Sequence, residues 1–176
     1  GCALICRADE FDTLRQKWAG MLTGGNDYNL ADSGVASAIN SVTNAANNYW
    51  SSMDKSPTRT SLWSDAASTT VSAQITTSYN RLRSMALAYA TMGSSLKGNA
   101  ALRTDLLGAL DWMYANRYNE TKAIYDNWWD FEIGTPMALV DTTALLYADL
   151  SATQAANYMK AVEKFTPSAT TPSAGG

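Results

Sequence analysis

Apolar residues in this chain recur at three- and four-residue intervals, the spacing that gathers side chains on one face of an α-helix; nowhere do they alternate as a strand requires. Phe11, Leu14, Trp18, Met21 and Leu22 predict a first helix over roughly residues 10–23, with Asp9 as cap and Gly24-Gly25 as stop. Asp32 or Ser33 opens a second run through Val35, Ile39, Val42, Ala46, Tyr49, Trp50 and Met53, whose narrow Ala-rich face permits close helix packing. Lys55-Ser56-Pro57-Thr58 ends it, and Arg59 to Ser68, with Leu62 and Trp63 among polar residues, has no period and reads as loop.

Val71, Ile75, Tyr79, Leu82, Met85, Ala86 and Tyr89 define a third helix closed by Gly93. Arg81 and Arg83 flank Leu82 on it, about 200° apart, so one is expected to face solvent while the other reaches a carboxylate or a ligand. Asn99 caps a fourth helix through Leu102, Leu106, Leu110, Met113 and Arg117, with Leu107, Trp112 and Tyr114 widening its apolar face. Thr135 as cap and Pro136 at the first helical position begin a fifth, where a missing N–H costs nothing. Its apolar residues line two sides, Met137, Val140, Ala144 and Tyr147 on one and Leu139, Thr143, Leu146 and Leu150 on the other, which predicts packing on both. Ser151-Ala152-Thr153-Gln154 is a capping box opening a sixth helix through Ala155, Tyr158, Met159, Val162 and Phe165. Residues 167–176 are Pro, Ser, Thr, Gly and Ala only, a linker composition.

The fold class is therefore all-α, about six helices over residues 9–166. Helices joined pairwise suit a toroid of helical hairpins as well as a globular array, and periodicity alone does not choose.

Composition narrows the chemistry. Hydrophobic residues are 46% of the 176 and charged residues 16%, against roughly 25% in ordinary globular chains, so the polar surface is rich in hydroxyls and amides. A net charge of -3 gives no basic field for nucleic acid. No apolar run approaches the roughly 20 residues of a membrane helix. The chain has no histidine, which removes Ser-His and Cys-His couples and imidazole metal ligands. Cys2 and Cys6 are the only cysteines; they can close a local disulfide but cannot complete a zinc site without further soft ligands. Residues 1–8 read as the remnant of a secretory signal peptide or as an expression scar. No cofactor or metal is implied.

One stretch concentrates chemistry: Asn127-Trp128-Trp129-Asp130-Phe131-Glu132-Ile133-Gly134-Thr135-Pro136, which reads as a turn-like connection between helices. Adjacent tryptophans diverge by about 100° on a helix and 180° on a strand, so Trp128 and Trp129 do not share a face. An exposed indole stacks on the C–H face of a pyranose, and the amide of Asn127 both donates to and accepts from hydroxyls. The plainer reading makes the aromatics a plug at a helix junction. Asp130 and Glu132 could form a carboxylate pair for glycoside hydrolysis; two residues apart, they read equally as a cap and an ion-pair partner.

These ten residues resemble the aromatic-patch motif of polysaccharide lyase family 8, the hyaluronate, chondroitin AC and xanthan lyases. Further segments agree in order: Asp9-Glu10-Phe11-Asp12-Thr13-Leu14-Arg15 with Trp18, Leu22-Thr23-Gly24-Gly25, Tyr79-Asn80-Arg81-Leu82-Arg83-Ser84-Met85-Ala86, Leu110-Asp111-Trp112-Met113-Tyr114 and Asn116-Arg117-Tyr118. The resemblance implies an incomplete (α/α) toroid, the amino-terminal catalytic domain of a larger secreted enzyme. Such enzymes cleave uronic-acid-containing polysaccharides by β-elimination and leave an unsaturated uronate. In the family an Asn neutralises the substrate carboxylate, a Tyr and a His carry the proton transfers, and the aromatic patch positions the polymer. By motif match Asn127, Trp128 and Trp129 take the patch role and bind substrate.

The departures from the family are equally specific. Its catalytic Asn is expected a few residues past Phe165-Thr166-Pro167-Ser168, where this chain lacks the Gly-Ala-Asn run, and its His has no counterpart. The expectation is a fragment with no catalytic residue of its own, inactive alone, whose partners are an acidic polysaccharide and the remainder of the same enzyme. The Trp-Asp-Phe-Glu-Ile-Gly form favours hyaluronate, with xanthan or chondroitin next. Two other readings remain: a carbohydrate-binding domain without chemistry, and a helical interaction domain.

Overall fold

A computed structural model describes residues 10–166, all of whose long elements are helices. They are α1 (Glu10–Thr23), α2 (Ser33–Ser52), α3 (Ala73–Ala90), α4 (Ala100–Asn116), α5 (Thr135–Leu146) and α6 (Ala152–Phe165). Asp9, both cysteines and the tail beyond Thr166 lie outside the described residues.

Local signals set most helix starts. Asp32 accepts from the N–H groups of Gly34 and Val35, Asn99 from that of Leu102, and Ser151 and Gln154 close the expected capping box. Side-chain pairings then fix direction. Thr76 reaches Thr135 (3.1 Å), Arg83 reaches Asp141 (2.6 Å) and Tyr89 reaches Asp149 (3.0 Å), so α3 and α5 run parallel, side by side. Behind them α2, α4 and α6 form a second layer of opposite direction. Trp50 of α2 donates to Asp105 of α4 (2.7 Å), and Asp111 of α4 accepts from Gln154 (3.0 Å) and Tyr158 (2.6 Å) of α6. Each hairpin thus crosses from one layer to the other. The front rim carries the connections 53–72 and 117–127; the back rim carries 91–99 and 147–151.

The core lies between the layers, with Ile75, Leu82, Met85, Leu102, Leu106, Leu110 and Met113 fully buried. The stretch read as loop contributes to it. Leu62 and Trp63 are buried, a short 3-10 turn spans Ser64–Ala66, and the buried Arg117 side chain donates to the carbonyls of Ala66 (3.4 Å) and Ser68 (2.6 Å). Long-range hydrogen bonds rather than periodicity hold this segment. Both arginines of α3 meet carboxylates, not one: Arg81 donates twice to Asp65 (2.7 and 2.6 Å) and lies over the rings of Trp63 and Tyr49, while Arg83 takes Asp141.

On the outer side the packing is thin. Helix α1 buries no residue; Phe11, Leu14, Trp18 and Met21 are 44–74% exposed. Its start lies beside α5 and α6 and its end beside α2 and α3, so it crosses the front layer obliquely. A polar clasp holds it there: Trp18 Nε1 donates to Asp141 Oδ1 (2.7 Å), and the Arg15 guanidinium stacks on Tyr147 (3.3 Å). The second apolar side of α5 is covered only in part: α1 crosses it, yet Met137, Val140 and Tyr147 stay 39–64% exposed. Replacing Asp141 with Ala removes the acceptor of both Trp18 and Arg83. Hydrogen exchange of α1 amides is expected to speed by about tenfold, roughly 1.4 kcal/mol of local stability, while α4 and α6 exchange as before.

Candidate functional site

The stretch 127–136 lies on the front rim, where α3 and α5 both begin. It is not a turn. Residues 128–129 are already helical, Asp130–Gly134 form one π-helical turn, and α5 follows without a break. Thr135 is accordingly no cap. It is buried in helical conformation, and its N–H donates to the Asp130 carbonyl, the i to i+5 bond of a π turn. Asn127 is the cap instead: its Oδ1 accepts from the Trp129 N–H (3.1 Å).

A hydroxyl–carboxylate cluster fixes this turn to α3. Asp130 is buried, and its two oxygens accept from Ser72 Oγ (2.7 Å) and Thr76 Oγ1 (2.7 Å). Thr76 also meets Thr135 Oγ1, and Ser72 Oγ accepts from the Asn127 N–H (3.1 Å). Asp126, in a left-handed conformation at φ 60°, accepts the Ser72 N–H (3.0 Å). Among the described residues no lysine or arginine pairs with Asp130. Its charge is held by hydroxyl donors and by the positive ends of two parallel helices. The reading of Asp130 and Glu132 as a catalytic pair loses support, because Asp130 is closed off from solvent; the cap and ion-pair reading fails for it as well.

Beneath the turn lies an aromatic cluster. Phe131, Tyr118 and Phe165 pack with centroids 4.8–6.1 Å apart, and Tyr79 and Tyr125 meet them edge-on. The Tyr118 hydroxyl donates to the Phe131 carbonyl (2.7 Å). In the π register that carbonyl would otherwise accept from residue 136, which is proline and has no N–H. Burial pushes the Tyr79, Tyr118 and Tyr158 hydroxyls far above the ordinary tyrosine range, so each stays protonated.

The three residues expected to bind substrate therefore have distinct places. Trp129 is 43% exposed on the rim, Trp128 is half-buried, and Asn127 is exposed but spends its Oδ1 on the cap. The divergence of the tryptophans agrees with helical geometry. Ser72 and Thr76 are not singled out by the sequence, and Tyr118 only as part of a matching segment without its role, since their partners lie 54–59 and 13 residues away in the chain. The described residues contain no group of three or more His, Cys, Asp or Glu side chains able to hold a metal, and no helix long and apolar enough to cross a membrane.

Parallel hairpin layers with an aromatic-bearing rim place the chain in the class of helical-toroid proteins. Residues 18–174 match the profile of polysaccharide lyase family 8, N terminal alpha-helical domain, and the chain belongs to that family. It is 48% identical over 163 residues to the xanthan lyase of Bacillus sp. (strain GL1), covering 92% of this chain and 17% of that protein. It is 35% identical over 158 residues to a hyaluronate lyase of Thermasporomyces composti, covering 90% and 20%. Among solved structures, a Paenibacillus xanthan lyase superimposes with a TM-score of 0.91 at 51% identity, over 96% of this chain and 16% of that one. The Streptomyces coelicolor A3 chondroitin AC lyase in complex with chondroitin sulphate does so with a TM-score of 0.79 at 36% identity, over 91% and 21%. The hairpins are thus those of an incomplete (α/α) toroid, which decides between toroid and array. The chain spans about a fifth or less of each of these relatives' length.

Proposed function

We propose that this chain is the substrate-positioning part of a secreted lyase that cleaves xanthan by β-elimination. The carrying observation is the exposed Trp129 indole, mounted on a turn that a buried hydroxyl–carboxylate cluster immobilises. A rigid plate at a rim stacks on a pyranose with little ordering cost. Asn127 turns its amide N–H₂ toward the sugar, because its Oδ1 is committed to the helix; donors suit the carboxylate and hydroxyl oxygens of an acidic polymer. Xanthan replaces hyaluronate as the preferred polymer because identity over about nine-tenths of the chain outweighs one motif: 48% and 51% to xanthan lyases against 35% to the hyaluronate lyase. Secretion follows from the size of such a polymer, which must be met outside the cell.

Proton transfer belongs to residues elsewhere in the longer enzyme, so this chain alone releases no unsaturated uronate. Its remaining partner is that enzyme's further helices, which fit the exposed apolar side. There, cavities of about 420 and 440 Å³ open between α1, α5 and α6, lined by Leu14, Trp18, Met137, Val140, Tyr147 and Met159.

Titration calorimetry with xanthan and hyaluronan oligosaccharides tests the reading. Tighter binding of xanthan is expected, weakened about tenfold by Trp129→Ala, roughly 1.4 kcal/mol. Equal or tighter binding of hyaluronan, or an unchanged affinity in Trp129→Ala, would refute it. So would growth of unsaturated-uronate absorbance from the chain alone.

A further inference from the structure

Gly134 has no backbone reason to be glycine. Its φ of -61° and ψ of -50° are ordinary helical values, where Ala is normally preferred. What it lacks is room. A Cβ built there falls inside van der Waals contact of Trp129 Cζ3, and lies 2.9 Å from both Trp129 Cη2 and Thr76 Cγ2. The volume of the missing side chain is filled by the six-membered ring of the indole and by one methyl group.

We infer that Gly134 is a positioning residue for the aromatic platform: it is the seat on which the Trp129 indole lies, with the Thr76 methyl as its back wall. The inference rests on the reading of Trp129 as a sugar-stacking residue and adds what holds the ring. The wall does not yield, because Thr76 Oγ1 is tied to Asp130 (2.7 Å) and to Thr135 (3.1 Å). Nor does the backbone of Trp129, whose N–H is bonded to the Asn127 cap. The π turn brings residues 129 and 134 into this register: its i to i+5 bond from Thr135 to Asp130 adds one residue to the helical turn between ring and seat. With wall and backbone fixed, a methyl group at 134 leaves only rotation of the indole away from the helix surface.

Fluorine-19 NMR of the chain labelled with fluorotryptophan decides this, the Trp129 resonance being identified by its loss in Trp129→Phe. Gly134→Ala is expected to move that resonance and to weaken xanthan-oligosaccharide binding to within about twofold of Trp129→Ala. Adding Thr76→Ser, which removes the methyl and keeps the hydroxyl, should return part of both. In a Trp129→Ala, Thr76→Ser background Gly134→Ala should leave Tm unchanged or raise it, because the ring and the methyl that obstruct the new Cβ are both gone. A Trp129 resonance unmoved by Gly134→Ala would overturn the inference, as would an equal fall in Tm with and without the indole. If Trp129→Ala binds as the parent does, the sugar-stacking reading fails, while the resonance shift and the non-additive Tm still establish the seat.

Discussion

Asp130→Ala is expected to lower the unfolding free energy by about 3 kcal/mol, and Tm by roughly 6–12 °C for a chain of this size. The carboxylate receives two short hydroxyl bonds from α3, and hydrogen bonds to charged groups are worth about 1.5–3 kcal/mol each. Removing it strands the Ser72 and Thr76 hydroxyls in a buried space and unfastens the π turn from α3. Asp130→Asn preserves the volume and one acceptor, so about half the loss is expected. Calorimetric scans and urea titration of the three proteins check the order. A Tm for Asp130→Ala within about 2 °C of the parent would show that the cluster is incidental to stability.

Tyr118→Phe comes next, at about 2 kcal/mol, larger than the roughly 1 kcal/mol of an average hydrogen bond. The excess arises because the Phe131 carbonyl has no alternative donor: the π register assigns it residue 136, and Pro136 has none to give. The ring contacts of residue 118 with Phe131 and Phe165 survive the substitution, so the change isolates the hydroxyl. Pro136→Ala supplies an N–H at that position and should return about 1 kcal/mol in the Tyr118→Phe background while costing stability on its own. Denaturant unfolding of the four proteins forms a closed cycle. Strict additivity would mean that Pro136 and Tyr118 do not share the carbonyl.

Local signals made most of the helices legible. Asp32, Asn99 and the Ser151–Gln154 box cap as their types suggest, because a cap involves only a few neighbouring residues. Thr135-Pro136 has the same signature and misleads, since nothing local distinguishes a helix start from a π turn continuing into a helix. The apolar stripe of α1 correctly marks a helix but not its burial, which depends on what lies across from it. The motif singles out Asn127, Trp128 and Trp129 as candidates. Ser72 and Thr76 are not singled out, as their partner is more than fifty residues away. A faint cue existed in two hydroxyl residues four apart at the start of α3, a spacing that sets both on one face.

The two rims differ in a way that bears on how such a chain can diverge. Every long connection, 53–72 and 117–127, returns at the front, while the shorter ones, 91–99 and 147–151, close the back. At the back, Gly93 turns the chain at a φ of 82°, a conformation that side-chain-bearing residues rarely adopt. The front rim thus holds the greater length of connection in which residues can change, while Leu62, Trp63 and Arg117 moor part of that length to the interior.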